Sequence, residues 1–105
     1  MSMWILQTSD TPDIDEIPLT FRLSPGAIKT IGRATGADFI VDRALVSRVH
    51  CRLTARDEKL EVQDLASTNG TFVNDKRIEK AKLANGDRLR IGRVEMTVEK
   101  AAVGG

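Results

Sequence analysis

An antiparallel all-β sandwich follows from two properties of the chain. Apolar residues recur with period two along most of its length, and turn-forming pairs interrupt them at short, regular intervals. Successive side chains on a strand point to opposite faces, so each alternating run reads as a strand with one face on a core and one toward water. The turn signals are Pro25-Gly26, Asn69-Gly70, Asn74-Asp75 and Asn85-Gly86.

The elements follow in chain order. Met1–Leu6 is a short apolar stretch, and Leu19, Phe21 and Leu23 alternate with Thr20 and Arg22. Between them, Asp10–Glu16 carries four acids and Pro12, as expected of a solvated loop. Ala27–Ile31 reads as a strand. Val49, Cys51, Leu53 and Ala55 alternate with His50, Arg52, Thr54 and Arg56, and Leu60 and Val62 with Glu61 and Gln63. Leu89 and Ile91 alternate with Arg88 and Arg90, and Val94, Met96 and Val98 with Glu95 and Thr97. Asp75–Ala84 is ambiguous, because Ile78 and Ala81 also fit a thin apolar helix face closed by Asn85-Gly86. Ala101–Gly105 is small and Gly-terminated, which suits a tail or the start of a linker.

Composition narrows the function. At 105 residues the chain has the usual size of one domain. Sixteen basic residues against fifteen acidic ones give a net charge of +1, unlike a strongly basic binder of nucleic acid or membrane surfaces. An anion site must therefore be local. No apolar run approaches the ~18 residues of a membrane span, and the amino-terminal stretch lacks the build of a signal peptide. The single cysteine, Cys51, excludes an intramolecular disulfide and a cysteine-based zinc cage. No metal or other cofactor is expected, and a reducing, cytoplasmic setting is the simplest reading.

The polar residues that carry information fall between strands: Gly32-Arg33, Ser47-Arg48-Val49-His50 and Ser67-Thr68-Asn69-Gly70-Thr71. If consecutive strands are neighbours, three polar loops meet at one end of the sandwich. Ser47, His50 and Asp64 invite comparison with a hydrolase, but the chain has no nucleophile elbow such as Gly-x-Ser-x-Gly. A Cys51–His50 dyad fails because strand neighbours face opposite ways. Cys51 is expected in the core. Asp64, on the Leu60/Val62 face, is expected to brace the Ser67–Gly70 turn. Trp4 has no basic companion cluster and is expected to pack rather than stack on nucleic acid.

The three motifs, in this order and spacing, resemble those of the forkhead-associated (FHA) domain family, Gly-Arg, Ser-Arg-x-His and Ser-x-Asn-Gly-Thr. Asn74, Asn85-Gly86-Asp87 and Ile91-Gly92 add to the match, which runs from about Trp4 to Glu99. The resemblance implies an eleven-stranded β-sandwich over residues 1–100, with short strands and loop in place of a helix at Asp75–Ala84, and residues 101–105 as tail or linker. It implies a non-catalytic module that binds a phosphothreonine peptide downstream of a Ser/Thr kinase. Arg33, Ser47, Arg48 and Thr68 would hold the phosphate, and Asn69 the ligand main chain. Leu45 and Asn74 would read neighbouring ligand residues, while Gly32, His50 and Gly70 support the loops. The apolar Ala44-Leu45-Val46 suggests an aliphatic preference three residues after the phosphothreonine. The module is expected to be a monomer, and phosphorylation of Thr11, which Pro12, Asp13 and Ile14 follow, would allow head-to-tail self-association. The competing reading is a phosphate-independent scaffold that uses a sandwich face.

Overall fold

The computed structural model describes residues 2–8 and 18–102. The acidic segment and Thr11 lie outside the described residues, as do residues 103–105. Among the described residues there are eleven strands and no helix: β1 (Ser2–Thr8), β2 (Thr20–Leu23), β3 (Ile28–Gly32), β4 (Phe39–Ile40), β5 (Cys51–Arg56), β6 (Lys59–Asp64), β7 (Thr71–Val73), β8 (Lys76–Ile78), β9 (Lys80–Leu83), β10 (Arg88–Ile91) and β11 (Val94–Ala102). They form a six-stranded sheet in the order β2-β1-β11-β10-β7-β8 and a five-stranded sheet in the order β4-β3-β5-β6-β9. The ladders are antiparallel except for the two-residue parallel pairing of β3 with β4.

The alternation does what it promises in most strands. Leu6, Leu23, Ile31, Leu53, Leu60, Val62, Leu89, Ile91, Met96 and Val98 are sealed between the two sheets with Trp4, Cys51 and Ala55. Phe21 stacks on Phe39 at 4.6 Å between ring centroids and packs at the edge of that core. Segment 75–84 is two short strands. Asn74 and Asp75 both have positive φ, as a two-residue type I′ hairpin requires, and Ala81 and Leu83 pair with Val62 and Leu60.

Two boundaries differ from expectation. β5 begins at Cys51, so Val49 and His50 are loop rather than strand. The faces there are reversed: Val49 is 45% exposed and His50 fully buried. Polar partners for the imidazole, described below, outweigh the alternation. At the other end, β11 continues two residues past position 100, pairing Ala101 with Met3 and Ala102 with Ser2.

The long β1–β11 ladder fixes the polarity of the molecule. β11 leaves the Gly92-Arg93 turn at one end and reaches Ala102 at the other, where Ser2 starts β1 and the Asp57-Glu58 turn joins β5 to β6. The carboxyl end of β3, the amino end of β5, the carboxyl end of β6 and the Gly92-Arg93 turn share the first of these ends.

Candidate functional site

At that end the three polar loops are tied together by main-chain hydrogen bonds. The Arg33 and Ala34 N–H groups donate to the Ser47 and Arg48 carbonyls at 2.9 and 3.0 Å, His50 N–H donates to Ile31 O at 2.8 Å, and Leu65 N–H to His50 O at 3.0 Å. Gly32 makes the first contact possible. A Cβ there would lie 2.1 Å from the Arg48 carbonyl oxygen, so only glycine lets β3 end against this backbone.

His50 is the internal strut. Its Nδ1 faces the Ser47 N–H at 3.0 Å and its Nε2 the Gly70 carbonyl at 2.8 Å. An N–H can only donate and a carbonyl only accept, so these partners assign the neutral ring with its proton on Nε2. The imidazole thus joins the second loop to the third from inside the protein.

Asp64 braces the third loop from below. It accepts from the hydroxyls of Ser67 and Thr71, the latter at 2.7 Å, and from Ser67 N–H at 3.2 Å. Ser67 Oγ in turn accepts Gly70 N–H at 3.0 Å. Burial pushes the Asp64 pKa up, but the two hydroxyls and the amide together outweigh it and hold the carboxyl below its ordinary value. Cys51, fully buried, has its thiol pushed up to about 12 by burial and by the nearby Asp64 charge. Such a thiol is no nucleophile at neutral pH.

The loops enclose an open cleft of about 550 Å3 lined by Arg33, Ser47, Arg48, Thr68, Asn69 and the 42–46 segment. Among the described residues Arg33 gives only its Nε, donating to Val46 O at 3.2 Å, which leaves the terminal nitrogens of the fork. Ser47 Oγ accepts the Thr68 N–H at 3.0 Å, so its one proton remains to be donated. Asn69 donates from Nδ2 to Leu45 O at 3.0 Å and keeps its amide oxygen and a second proton.

Leu45 is held at φ 70° and is 46% exposed. Among the described residues, four of the six non-glycine residues with positive φ occupy the tight turns at 57–58 and 74–75; the other two, Leu45 and Ala66, lie in the cleft-forming loops. A Cβ on Gly92 would sit 2.8 Å from the Leu45 carbonyl group, so the β10–β11 turn presses directly on this residue.

Five expected ligand residues and Leu45 therefore come together. Asn74 does not line the cleft. Its Oδ1 accepts Arg88 N–H at 2.9 Å and its Nδ2 donates to Asp87 at 3.1 Å, which commits both ends of the amide to the start of the neighbouring strand β10. Residues that sequence reasoning left without a role of their own are Ser67, Thr71 and Gly92. Asp64-x-x-Ser67 is a side-chain turn signature and offered a signal for the first two. Nothing local to Gly92 indicates a contact with residue 45.

A family model for the FHA domain matches residues 29–92, well over half the chain and every residue of the cleft. The chain belongs to the FHA domain family. The domain is 41% identical over 78 residues to the ABC transporter ATP-binding/permease protein Rv1747 of Mycobacterium tuberculosis, covering 74% of this chain and 9% of that protein. It is 37% identical over 70 residues to the glycogen accumulation regulator GarA of the same species, covering 67% of this chain and 43% of GarA. This FHA chain thus spans less than half the length of these relatives.

Among solved structures, an FHA domain studied for phosphothreonine-dependent interactions superposes with a TM-score of 0.83 at 32% identity, covering 96% of this chain and 99% of that one. The FHA domain of FhaA, solved in complex with the intracellular domain of Rv3910, gives a TM-score of 0.78 at 33% identity over 91% of this chain and 99% of its own.

Proposed function

We propose that this FHA domain is a non-catalytic adaptor that binds phosphothreonine peptides made by a Ser/Thr kinase. The observation that carries the reading is the set of unspent donors at one cleft: the Arg33 fork, the Ser47 proton, the Arg48 guanidinium and the Thr68 hydroxyl, on loops whose backbones are already hydrogen-bonded. A phosphothreonine carries nearly two negative charges and three strong acceptors, which fixed guanidinium groups and short hydroxyl donors match. Preorganised loops lower the cost of ordering on binding.

Asn69 would hold the ligand main chain through its remaining amide groups. Leu45, displayed in a strained conformation at the cleft, would favour an aliphatic ligand residue. Backbone strain held in place by Asn69 and the Gly92 turn commonly marks a functional position. The ligand methyl that separates phosphothreonine from phosphoserine contributes ~0.8 kcal/mol if buried, roughly a fourfold preference. Similarity to an FHA domain studied for phosphothreonine-dependent interactions supports the choice of ligand. A cytoplasmic setting, where such kinases act, belongs to the same reading.

Calorimetric titration tests it with one peptide in threonine, phosphothreonine and phosphoserine forms. Only phosphorylated forms should bind, phosphothreonine best. Arg33→Ala should weaken binding about ten- to a hundred-and-fiftyfold, the loss of one charge-assisted contact worth ~1.5–3 kcal/mol. Equal binding of the threonine and phosphothreonine peptides would mean a phosphate-independent scaffold instead.

A further inference from the structure

Arg33 and Arg48 face two depressions. Besides the cleft above, they line a neighbouring one of about 430 Å3 together with Ala34, Thr35 and Asp42. Asp42 is exposed and lines both clefts. Its carboxylate makes no hydrogen bond or ion pair with the described residues, although two arginines line the same walls. Arg43 lines only the first cleft, where its Nη1 donates to the Asp42 main-chain carbonyl at 3.4 Å.

Charge arithmetic gives the second cleft its preference. Arg33 and Arg48 are permanent cations, and a bound phosphothreonine brings roughly two negative charges. With Arg43, which lines the first cleft, three cations face the phosphate, while the Asp42 carboxylate lies beside it on the wall that both clefts share. Two anions in one site repel, so a ligand that is only an anion would be held better by an asparagine at position 42. A second phosphate is disfavoured for the same reason. A ligand that also carries a cation turns Asp42 from a penalty into a counter-ion, and Thr35 adds a hydroxyl acceptor beside it.

We propose that the second cleft receives a lysine or arginine side chain of the same phosphopeptide, with Asp42 as its partner, so that the domain selects phosphothreonines flanked by a basic residue. The proposal rests on the phosphothreonine reading above. Because the clefts share Arg33, Asp42 and Arg48, one short peptide reaches both.

The test is fluorescence anisotropy with phosphothreonine peptides on an alanine-glycine background. Lysine, alanine or glutamate is scanned through the three positions on either side of the phosphothreonine, against the native domain and Asp42→Asn. At one or more positions lysine should bind the native domain about three- to fivefold more tightly than alanine, the range of a partly exposed ion pair. Asp42→Asn should abolish that preference while leaving affinity for the alanine peptide unchanged or higher. Lysine and alanine peptides binding alike at all six positions, a lysine preference that survives Asp42→Asn, or a preference for glutamate would each overturn the proposal. If phosphopeptides bind without lysine preference, this proposal alone falls; if none binds, the phosphothreonine reading falls with it.

Discussion

Single side chains in this domain act mainly by fixing other groups. Asp64 touches no part of the cleft, yet it holds Ser67 and Thr71, and Ser67 holds Gly70. Asp64→Asn should destabilise the domain by about 1.5–3 kcal/mol at pH 7, the range for hydrogen bonds to a charged group. The acid dependence follows from the sign of its shift. The folded-state pKa lies below the ordinary ~3.9 of an aspartate, so the stabilisation is complete above that value and is lost as pH falls through the folded-state pKa. Urea denaturation at pH 7 and pH 3 should therefore show the gap between native and Asp64→Asn proteins narrowing at pH 3; an unchanged gap would contradict the charge-based account. Residues of this kind were legible because their identities permit few jobs: an aspartate on an apolar strand face needs partners, and the Ser67–Thr71 motif supplies them nearby. Asn74 had two possible jobs, and only the position of Arg88 on the neighbouring strand β10 shows which one it performs.

Loops and strands show where sequence periodicity stops being informative. The alternation from Val49 to Ala55 looked continuous, but the first two residues serve the loop, because a buried imidazole with two hydrogen bonds is worth more than one more apolar side chain on the ladder. Strand order was less legible than strand existence. The parallel β3–β4 pair, the meeting of the Gly92 turn with Leu45 and the shared wall at Asp42 all join distant residues, which no local pattern encodes. The 42–46 loop carries its own prediction. A left-handed conformation costs a non-glycine residue about 1–2 kcal/mol, and glycine gives back about 0.5–1 kcal/mol through its freer unfolded chain. Leu45→Gly should therefore leave stability unchanged or raise it slightly, while flattening the preference for an aliphatic ligand residue. Thermal melting and a phosphopeptide scan separate the two effects; a substantial loss of stability would show that Leu45 serves packing instead.

For the molecule as a whole, the core and the cleft are one mechanical unit, since Cys51 and His50 are consecutive and respectively occupy the sheet interior and the loop strut. Cys51 reports on that unit. Fully buried and with its thiol pushed up to about 12, it should resist alkylation under native conditions and react at a rate that follows global unfolding as urea is added. Rapid native-state labelling would show that the β3–β5 region opens on its own. The β1–β11 ladder bears on the molecule in another way. Ser2 and Ala102 are direct partners at the end away from the cleft. Tension drawn through these two residues would not shear the seven-pair ladder all at once; it would unzip it rung by rung from that end. The domain should yield to modest pulling forces, and the binding loops, farthest from the point of attack, would be among the last parts to feel the load.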